Sequence, residues 1–205
     1  MSNDVSIIVA TYGNLPEWNE LADRAVRSAE AQTVKSTEII RGFGKTLSES
    51  RNGAATLATG EWLCFLDADD ELDSRYCEAM ELATGDIRRP ATLGIVDGKE
   101  DDAPVMIPRR NLMVANYIVI GAWMRRSSFL AAGGFREFPV LEDWDLFLRL
   151  WLAGDQVVDV PDAIYRVHVQ PNSRNQNQKL HGHVYNQIRR QYAGRSPLPL
   201  HGDAQ

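Results

Sequence analysis

The sequence has few cysteines, no long apolar run and no excess of positive charge. Its two cysteines, Cys64 and Cys77, fall in a predicted strand and a predicted helix, which is typical of buried reduced thiols and unlike a disulfide framework. No segment approaches the roughly 20 apolar residues of a membrane-spanning helix, and the polar start MSND does not resemble a signal peptide. We therefore expect a cytoplasmic protein without a transmembrane segment.

The composition indicates one globular domain. Hydrophobic residues make up 44% and charged residues 24% of the 205 residues, unlike disordered or fibrous proteins. The net charge of −6 disfavours nucleic acid as a main partner. Internal repeats, low-complexity tracts and a clear linker are all missing from the sequence. We predict a single domain over residues 1–193 and a flexible C-terminal tail over residues 194–205.

The order of the predicted elements indicates a parallel sheet. The apolar, β-branched run VSIIVA (Val5–Ala10) is typical of a strand covered on both faces. Further strands are predicted at 38–40 and 61–66. Helical patterns lie between these strands and after residue 73, one of them opened by the capping-box spacing of Thr46 and Glu49. Alternating strands and helices predict an α/β fold, Rossmann-like, with a mostly parallel central sheet and helices on both faces.

The second half of the sequence is less regular. Short antiparallel strands are predicted on either side of the turn DGKEDD (97–102), and Ser127 is predicted to cap a short helix that ends at Gly133 and Gly134. The later predicted elements are an amphipathic helix from Glu142 to about Gly154, strands at QVVDV (156–160) and AIYRVHV (163–169), and a polar helix over 175–192.

The stretch FLDADDEL (65–72) is the first candidate for chemistry. Asp67, Asp69 and Asp70 directly follow a buried strand, and ligands of open α/β sheets collect at the carboxyl ends of the strands. Carboxylates are ligands that Mg²⁺ or Mn²⁺ prefers, often together with phosphate oxygens. The alternative is a solvated turn in which Asp73 caps the next helix.

Nearby residues resemble three other kinds of site. A calcium-binding EF-hand loop requires glycine at its sixth position, where this chain has Leu72. A P-loop ending in Gly44–Thr46 requires a first glycine at position 39, which is an isoleucine. A phosphatase with Asp67 as the nucleophile stays open as an alternative, although such enzymes normally carry the acid after their first strand.

A second acid cluster opens the helix predicted from Glu142. Glu142, Asp143 and Asp145 either stabilise the helix N-terminus through its dipole or act in catalysis, and the sequence alone leaves both open. In AIYRVHV, alternation places Arg166 and His168 on one face of the strand. These two residues are candidate contacts to a diphosphate or a metal, with a structural histidine as the alternative.

Taken together, five blocks in order resemble the inverting nucleotide-sugar glycosyltransferases of family 2, which have the GT-A fold. The resemblance covers roughly residues 4–170. The blocks are VSIIVATYGN, SRNGAATLATGEWLCFLDADDEL, GGFRE, EDWDLFLRL and YRVH.

The resemblance implies a role for each candidate residue. The strand-end aspartates would form the DxD motif, which contacts the nucleotide ribose and holds a divalent cation (Mn²⁺ or Mg²⁺) on the diphosphate of a nucleotide-sugar. Asp143 would be the catalytic base, with Glu142 beside it. The expected metal ligands are Asp67, Asp69, Asp70 and His168, and the expected donor contacts are Ala10, Thr11, Tyr12, Lys45, Arg51, Asp67, Ala68, Asp69 and Arg166.

One block departs from the family. Its second strand commonly ends in an acid-rich turn that helps to recognise the base, whereas this chain has IIRGFGKT and no carboxylate between Ile39 and Leu47. The resemblance favours a UDP-sugar donor and leaves the base open. The acceptor also stays open between a glycan, a lipid carrier, a protein, a small molecule and modified DNA, the last through a basic patch of Arg88, Arg89, Arg109 and Arg110. A catalytically silent nucleotide-sugar-binding protein is the remaining alternative.

Overall fold

A mixed β-sheet of eight strands organises the structure, a computed structural model that describes residues 4–13, 16–169 and 177–197. The strand order is β2-β1-β3-β7-β5-β8-β4, and β6 pairs with β5. The strands are β1 (Val5–Tyr12), β2 (Glu38–Gly44), β3 (Trp62–Asp67), β4 (Glu71–Leu72), β5 (Ile87–Val96), β6 (Lys99–Glu100), β7 (Trp123–Arg125) and β8 (Val157–His168). The helices are α1 (Pro16–Glu30), α2 (Leu47–Leu57), α3 (Tyr76–Leu82), α4 (Arg126–Ala131), α5 (Glu142–Leu152) and α6 (Gln178–Tyr192).

The first half of the chain forms parallel strands, as predicted, and a second parallel pair, β5 with β8, lies in the second half. β1 pairs in parallel with β2 on one side and β3 on the other. Every residue of β1 from Val5 to Thr11 is buried, so both faces of this strand are covered. In the register between β1 and β3, Ala10 lies opposite Asp67, which places the ends of both strands at the same edge of the sheet.

Helix α2 approaches β2 closely because two glycines face it. A Cβ atom on Gly42 would come within 2.6 Å of the Ser50 carbonyl oxygen, and one on Gly44 within 2.7 Å of the Ser50 nitrogen. The predicted cap of this helix is confirmed, since the Thr46 hydroxyl accepts a hydrogen bond from the Glu49 N–H at 3.1 Å. The two glycines of the RGFG sequence therefore serve helix packing.

The second half of the chain adds antiparallel pairings. β7 is antiparallel to β3 and to β5, and β4 is antiparallel to β8. An antiparallel pair forms here, β5 with β6, but its turn is tighter than predicted: it lies at Asp97 and Gly98, with φ angles of +49° and +75°, so β6 falls inside the stretch predicted as a turn. The two strands predicted at 156–160 and 163–169 are one strand, β8, which continues through Pro161 opposite a register shift between Pro90 and Ala91.

Two smaller predictions concern helix ends. Ser127 does not cap α4, because it lies within the helix, and Arg125 at the N-cap makes no side-chain capping bond. Gly133 and Gly134 end the segment as predicted, with φ angles of +80° and +68°. Residues 198–205 of the predicted tail lie outside the described residues, and residues 194–197 belong to no helix or strand. Within the described ranges, no helix has the length and apolar character needed to cross a membrane.

Candidate active site

Three aspartates converge where β3 ends. Asp67 is the last residue of β3, and the Asp70 N–H donates to the Asp67 carbonyl at 3.0 Å, which closes a tight turn. One carboxylate oxygen from each of Asp67, Asp69 and Asp70 lies within 4.8 Å of the others. The turn therefore brings together the side chains that the sequence proposed as a DxD motif.

This cluster concentrates negative charge in a partly dehydrated place. Burial, and then the charges of Asp67 and Asp69, raise the pKa of Asp70 well above its usual value. Burial and the Asp67 charge also raise the pKa of Asp69. Three hard oxygen ligands this close together fit a divalent cation, because a cation offsets the repulsion between their charges.

Two side chains that the sequence did not single out support the cluster. The Tyr165 hydroxyl accepts a hydrogen bond from the Asp67 N–H at 3.1 Å and is hydrogen-bonded to the Asp70 carboxylate. Arg24 on α1 donates to the Asp69 carbonyl at 2.6 Å. Alternation along β8 places Tyr165 on the opposite face of the strand from Arg166 and His168. No local sequence pattern indicates the role of the Tyr165 hydroxyl.

The structure brings His168 next to the cluster without placing its ring among the three carboxylates. Its backbone N–H donates to Asp70 Oδ1 at 2.8 Å, while its Nε2 lies 2.7 Å from Glu71 Oε1. The set of ligand atoms within 4.8 Å of one another does not include His168 among the described residues. Its proposed metal contact stays a prediction.

The guanidinium of Arg166 is engaged by two carboxylates outside the cluster. It donates to Asp73 Oδ2 at 3.1 Å and is paired with Glu100. A contact between Arg166 and a diphosphate therefore stays a prediction, one that would require this guanidinium to exchange partners.

Arg51 joins the two acid clusters. Its Nη2 lies 2.5 Å from Asp67 Oδ1 and its Nη1 lies 2.9 Å from Glu142 Oε1. Only 3% of the Arg51 side chain and 7% of the Glu142 side chain are exposed, against 34% for Asp67. Burial alone would lower the pKa of Arg51, but the charges of Asp67 and Glu142 raise it above its usual value. The guanidinium also lies over the Phe135 ring, 5.0 Å from its centre.

Asp143 lies beside this network at the start of α5. Its Oδ1 accepts from the Trp144 N–H at 2.8 Å, and its Oδ2 accepts from Asn116 Nδ2 at 2.9 Å. Burial, and then the charge of Glu142, raise the pKa of Asp143 to about 7, while Arg51 acts in the opposite direction. A half-buried carboxyl group that titrates near neutral pH has the properties of a general base.

The third acid of this helix has a different environment. Asp145 is completely buried and pairs with Arg149 at 2.9 Å, and it accepts a hydrogen bond from the Tyr192 hydroxyl at 2.6 Å. Leu141 at the N-cap provides no side-chain cap. Glu142 and Asp145 are therefore fixed by ion pairs, whereas Asp143 is held by two hydrogen-bond donors.

The strand ends beside the clusters carry the remaining predicted donor contacts. Ala10 and Thr11 are buried and Tyr12 is exposed at the end of β1, and Ala68 lies buried within the aspartate turn. Lys45 is exposed directly after β2. The side chain of Phe43 on β2 is exposed beside these strand ends. The family resemblance predicts a carboxylate in this region.

Comparison with known proteins gives one family match, over part of the chain. Residues 39–135 match the sequence model of glycosyl transferase family 2. This part of the chain is similar in sequence to family 2 glycosyl transferases. A comparison with curated protein sequences gives no match.

Solved structures confirm the GT-A fold of the domain. The structure of S. aureus TarS 1–349 in complex with UDP-GlcNAc has a TM-score of 0.64 and 16% identity, over 86% of this chain and 61% of that one. TarS 1–349 in complex with UDP has a TM-score of 0.61 and 18% identity, over 83% of this chain and 61% of that one. The chain thus spans about three fifths of the length of these structures.

The family 2 match covers only one side of the site. It contains Arg51 and the three aspartates but ends at residue 135, before Glu142 and Asp143. Of the four arginines considered as a basic patch, Arg109 and Arg110 are exposed. Arg88 is 9% exposed and Arg89 is 2% exposed, and Arg89 and Arg109 both pair with Asp159. The sequence did not reveal the burial of Arg88 and Arg89, because adjacent arginines are expected to be solvated unless their partners are known.

Proposed function

We propose that the chain is a metal-dependent inverting glycosyltransferase that moves a sugar from a nucleotide-diphosphate donor to an acceptor hydroxyl. The observation that carries this proposal is the ion-pair bridge of Arg51, which holds the aspartate cluster at Asp67 and the acid pair at Glu142 in one network. Leaving-group stabilisation and proton removal would thereby lie on either side of one donor sugar.

Asp143 acts as the general base in this proposal. A sugar hydroxyl is a poor nucleophile, and a positioned carboxylate that accepts its proton accelerates transfer by about 10²–10⁴-fold. With a pKa of about 7, the carboxylate is available at neutral pH and is basic enough to accept a proton. Attack from the Asp143 side expels the diphosphate in a single displacement, which inverts the anomeric carbon and forms no covalent enzyme intermediate.

The aspartate cluster acts on the leaving group. Asp67, Asp69 and Asp70 would hold a divalent cation, which when bound stabilises the negative charge that develops on the departing diphosphate. Tyr165 keeps Asp67 and Asp70 oriented through their hydrogen bonds. Arg51 keeps Asp67 directed towards the acid pair.

For the donor we propose a UDP-sugar. Structures with this fold contain UDP-GlcNAc and UDP. The end of β2 has no carboxylate to pair with the base and instead exposes the Phe43 ring. The acceptor is proposed only as a hydroxyl compound, bound between residues 86–125 and the C-terminal helix.

Transfer by the Asp143→Asn variant tests the proposal. Release of UDP from UDP-sugars is measured with Mn²⁺ and a panel of hydroxyl acceptors, and the product anomer is assigned by NMR. We expect a loss of about 10²–10⁴-fold with unchanged donor binding. Asp162→Asn, an exposed position on β8, is the matched control. Transfer by the Asp143 variant within about threefold of the native rate would remove Asp143 as the base.

Donor and metal are tested separately by thermal shift. UDP, GDP, CDP and dTDP are each added with and without Mn²⁺, because a ligand that binds the native state stabilises it by mass action. We expect stabilisation by UDP that requires Mn²⁺ and is lost in the Asp70→Asn variant. Stabilisation by another nucleotide would correct the base, and the absence of any response would contradict the whole proposal.

A further inference from the structure

Asn116 contacts the Asp143 carboxylate through an amide whose orientation is fixed. Its side-chain oxygen accepts from the Ile118 N–H at 3.0 Å, which identifies the other amide atom as the nitrogen. That nitrogen, Nδ2, donates to Asp143 Oδ2 at 2.9 Å. Asn116 is part of neither acid cluster, and the sequence motifs did not single it out.

The segment that carries Asn116 is anchored on both sides of this residue. The Arg89 guanidinium donates to the carbonyls of Ile107 at 2.8 Å and Tyr117 at 2.9 Å. The Trp144 indole N–H donates to the Leu112 carbonyl at 2.7 Å. Since Arg89 is almost completely buried, these bonds hold residues 107–118 in one position. Asn116 is therefore presented to Asp143 by a fixed backbone.

We propose that Asn116 is a positioning residue for the general base, which holds Oδ2 of Asp143 in place for the acceptor hydroxyl. This inference rests on the proposed function. The final torsion of an aspartate side chain is broad, so a single hydrogen bond to one oxygen leaves the carboxylate plane free to turn. Trp144 holds one oxygen and Asn116 the other, which fixes that plane.

The contact also favours the ionised form of Asp143. The charged groups that face this carboxylate are Glu142 on the same helix, Arg51 on α2 and Asp67 on β3. Two of these three are acids, so a neutral amide donor opposes their effect without adding a charge. Removing the donor, or replacing it with an acid, shifts the balance towards the protonated carboxyl group.

Two variants separate this role from loop packing. Asn116→Asp retains an oxygen for the Ile118 N–H but replaces the donor to Asp143 with an acceptor, whereas Asn116→Ala removes both bonds. The titration of Asp143 is followed by NMR in protein labelled at the aspartate carboxyl carbons, with its signal assigned from the Asp143→Asn spectrum. The pH profile of kcat is measured in parallel. Val114→Ala, an exposed side chain of the same segment, is the control.

We expect the midpoint of the Asp143 titration to rise by about one pH unit or more in both Asn116 variants, because each variant loses a hydrogen bond to a charged group. From a native value of about 7, a rise of about one unit lowers the ionised fraction at pH 7 by about fivefold. The control should keep the native midpoint. An unchanged midpoint in Asn116→Asp would overturn the proposal, because a packing role lowers the plateau of kcat without moving the midpoint.

The same measurements distinguish a wrong base assignment from a wrong role for Asn116. If Asp143→Asn retains transfer while the Asn116 variants still shift the NMR titration, the base assignment is wrong and Asn116 positions no base. If Asp143→Asn abolishes transfer and the titration does not move, the proposed function stands and the role of Asn116 is refuted.

Discussion

Replacing Arg51 by methionine is the most direct perturbation of the bridge between the two acid clusters. Methionine fills most of the volume and keeps an apolar contact with Phe135, so the loss is mainly one of charge. Glu142 then remains buried and loses its ion pair with Arg51, since only 7% of its side chain is exposed. Asp67 is 34% exposed and can be rehydrated.

The magnitude follows from this difference in exposure. Breaking a buried ion pair by removing one partner costs about 3–5 kcal/mol, because a charge is left uncompensated. The full cost applies to the ion pair with Glu142, which is buried. The ion pair with Asp67 adds little, because solvent screens the partly exposed Asp67 carboxylate. The free energy of unfolding of Arg51→Met should therefore fall by about 3 kcal/mol at pH 7.

Urea unfolding followed by circular dichroism measures this loss, and a second substitution tests its cause. In Arg51→Met/Glu142→Gln the buried charge of Glu142 is gone as well, so this double variant should be more stable than Arg51→Met by about 1–2 kcal/mol. Arg75→Met, at an exposed arginine paired with Glu78 on the surface, is the control and should not change stability measurably. The reasoning is refuted if Arg51→Met loses less than about 1 kcal/mol, or if the second substitution restores nothing.

Three further outcomes follow from the site. Because burial raises the pKa of Asp143 to about 7 and the base must be deprotonated, kcat should rise with pH through about 7 and fall below it, which a pH–rate profile checks. Tyr165→Phe removes the hydroxyl that binds Asp67 and Asp70, so calorimetric titration should show weaker Mn²⁺ binding, and stability should fall by about 1–2 kcal/mol. Gly121→Ala would place a Cβ 2.1 Å from the Tyr165 ring, so urea unfolding should show a loss of about 2–3 kcal/mol; a native-like value would refute the clash.

Local patterns predicted the first half of the fold and the place of the acid cluster. The apolar run of β1, the Thr46 cap and the acids after β3 are each specified by adjacent residues. Parallel strands then bring their carboxyl ends together, which is why Asp67 was expected at the edge of the sheet next to Ala10.

Contacts between distant residues were not predictable in this way. The bonds from Asn116 to Asp143 and from Tyr165 to Asp67 join residues with no shared periodicity. Alternation assigned Arg166 and His168 to one face but did not reveal that acids beside the cluster occupy their side chains. The sequence predicted two strands, at 156–160 and 163–169, whereas β8 is one continuous strand whose residues 161–163 bulge between the partners of Pro90 and Ala91.

The bridge at Arg51 has a consequence for how the molecule assembles. Arg51 and Glu142 are 91 positions apart, so their pairing requires closure of a long loop and depends on the docking of α5. Until that step, the ion pair between Arg51 and Glu142 cannot form, and Asp143 is absent from the site. A partly folded chain that already contains the aspartate turn would thus lack the base, and completion of the site coincides with completion of the fold.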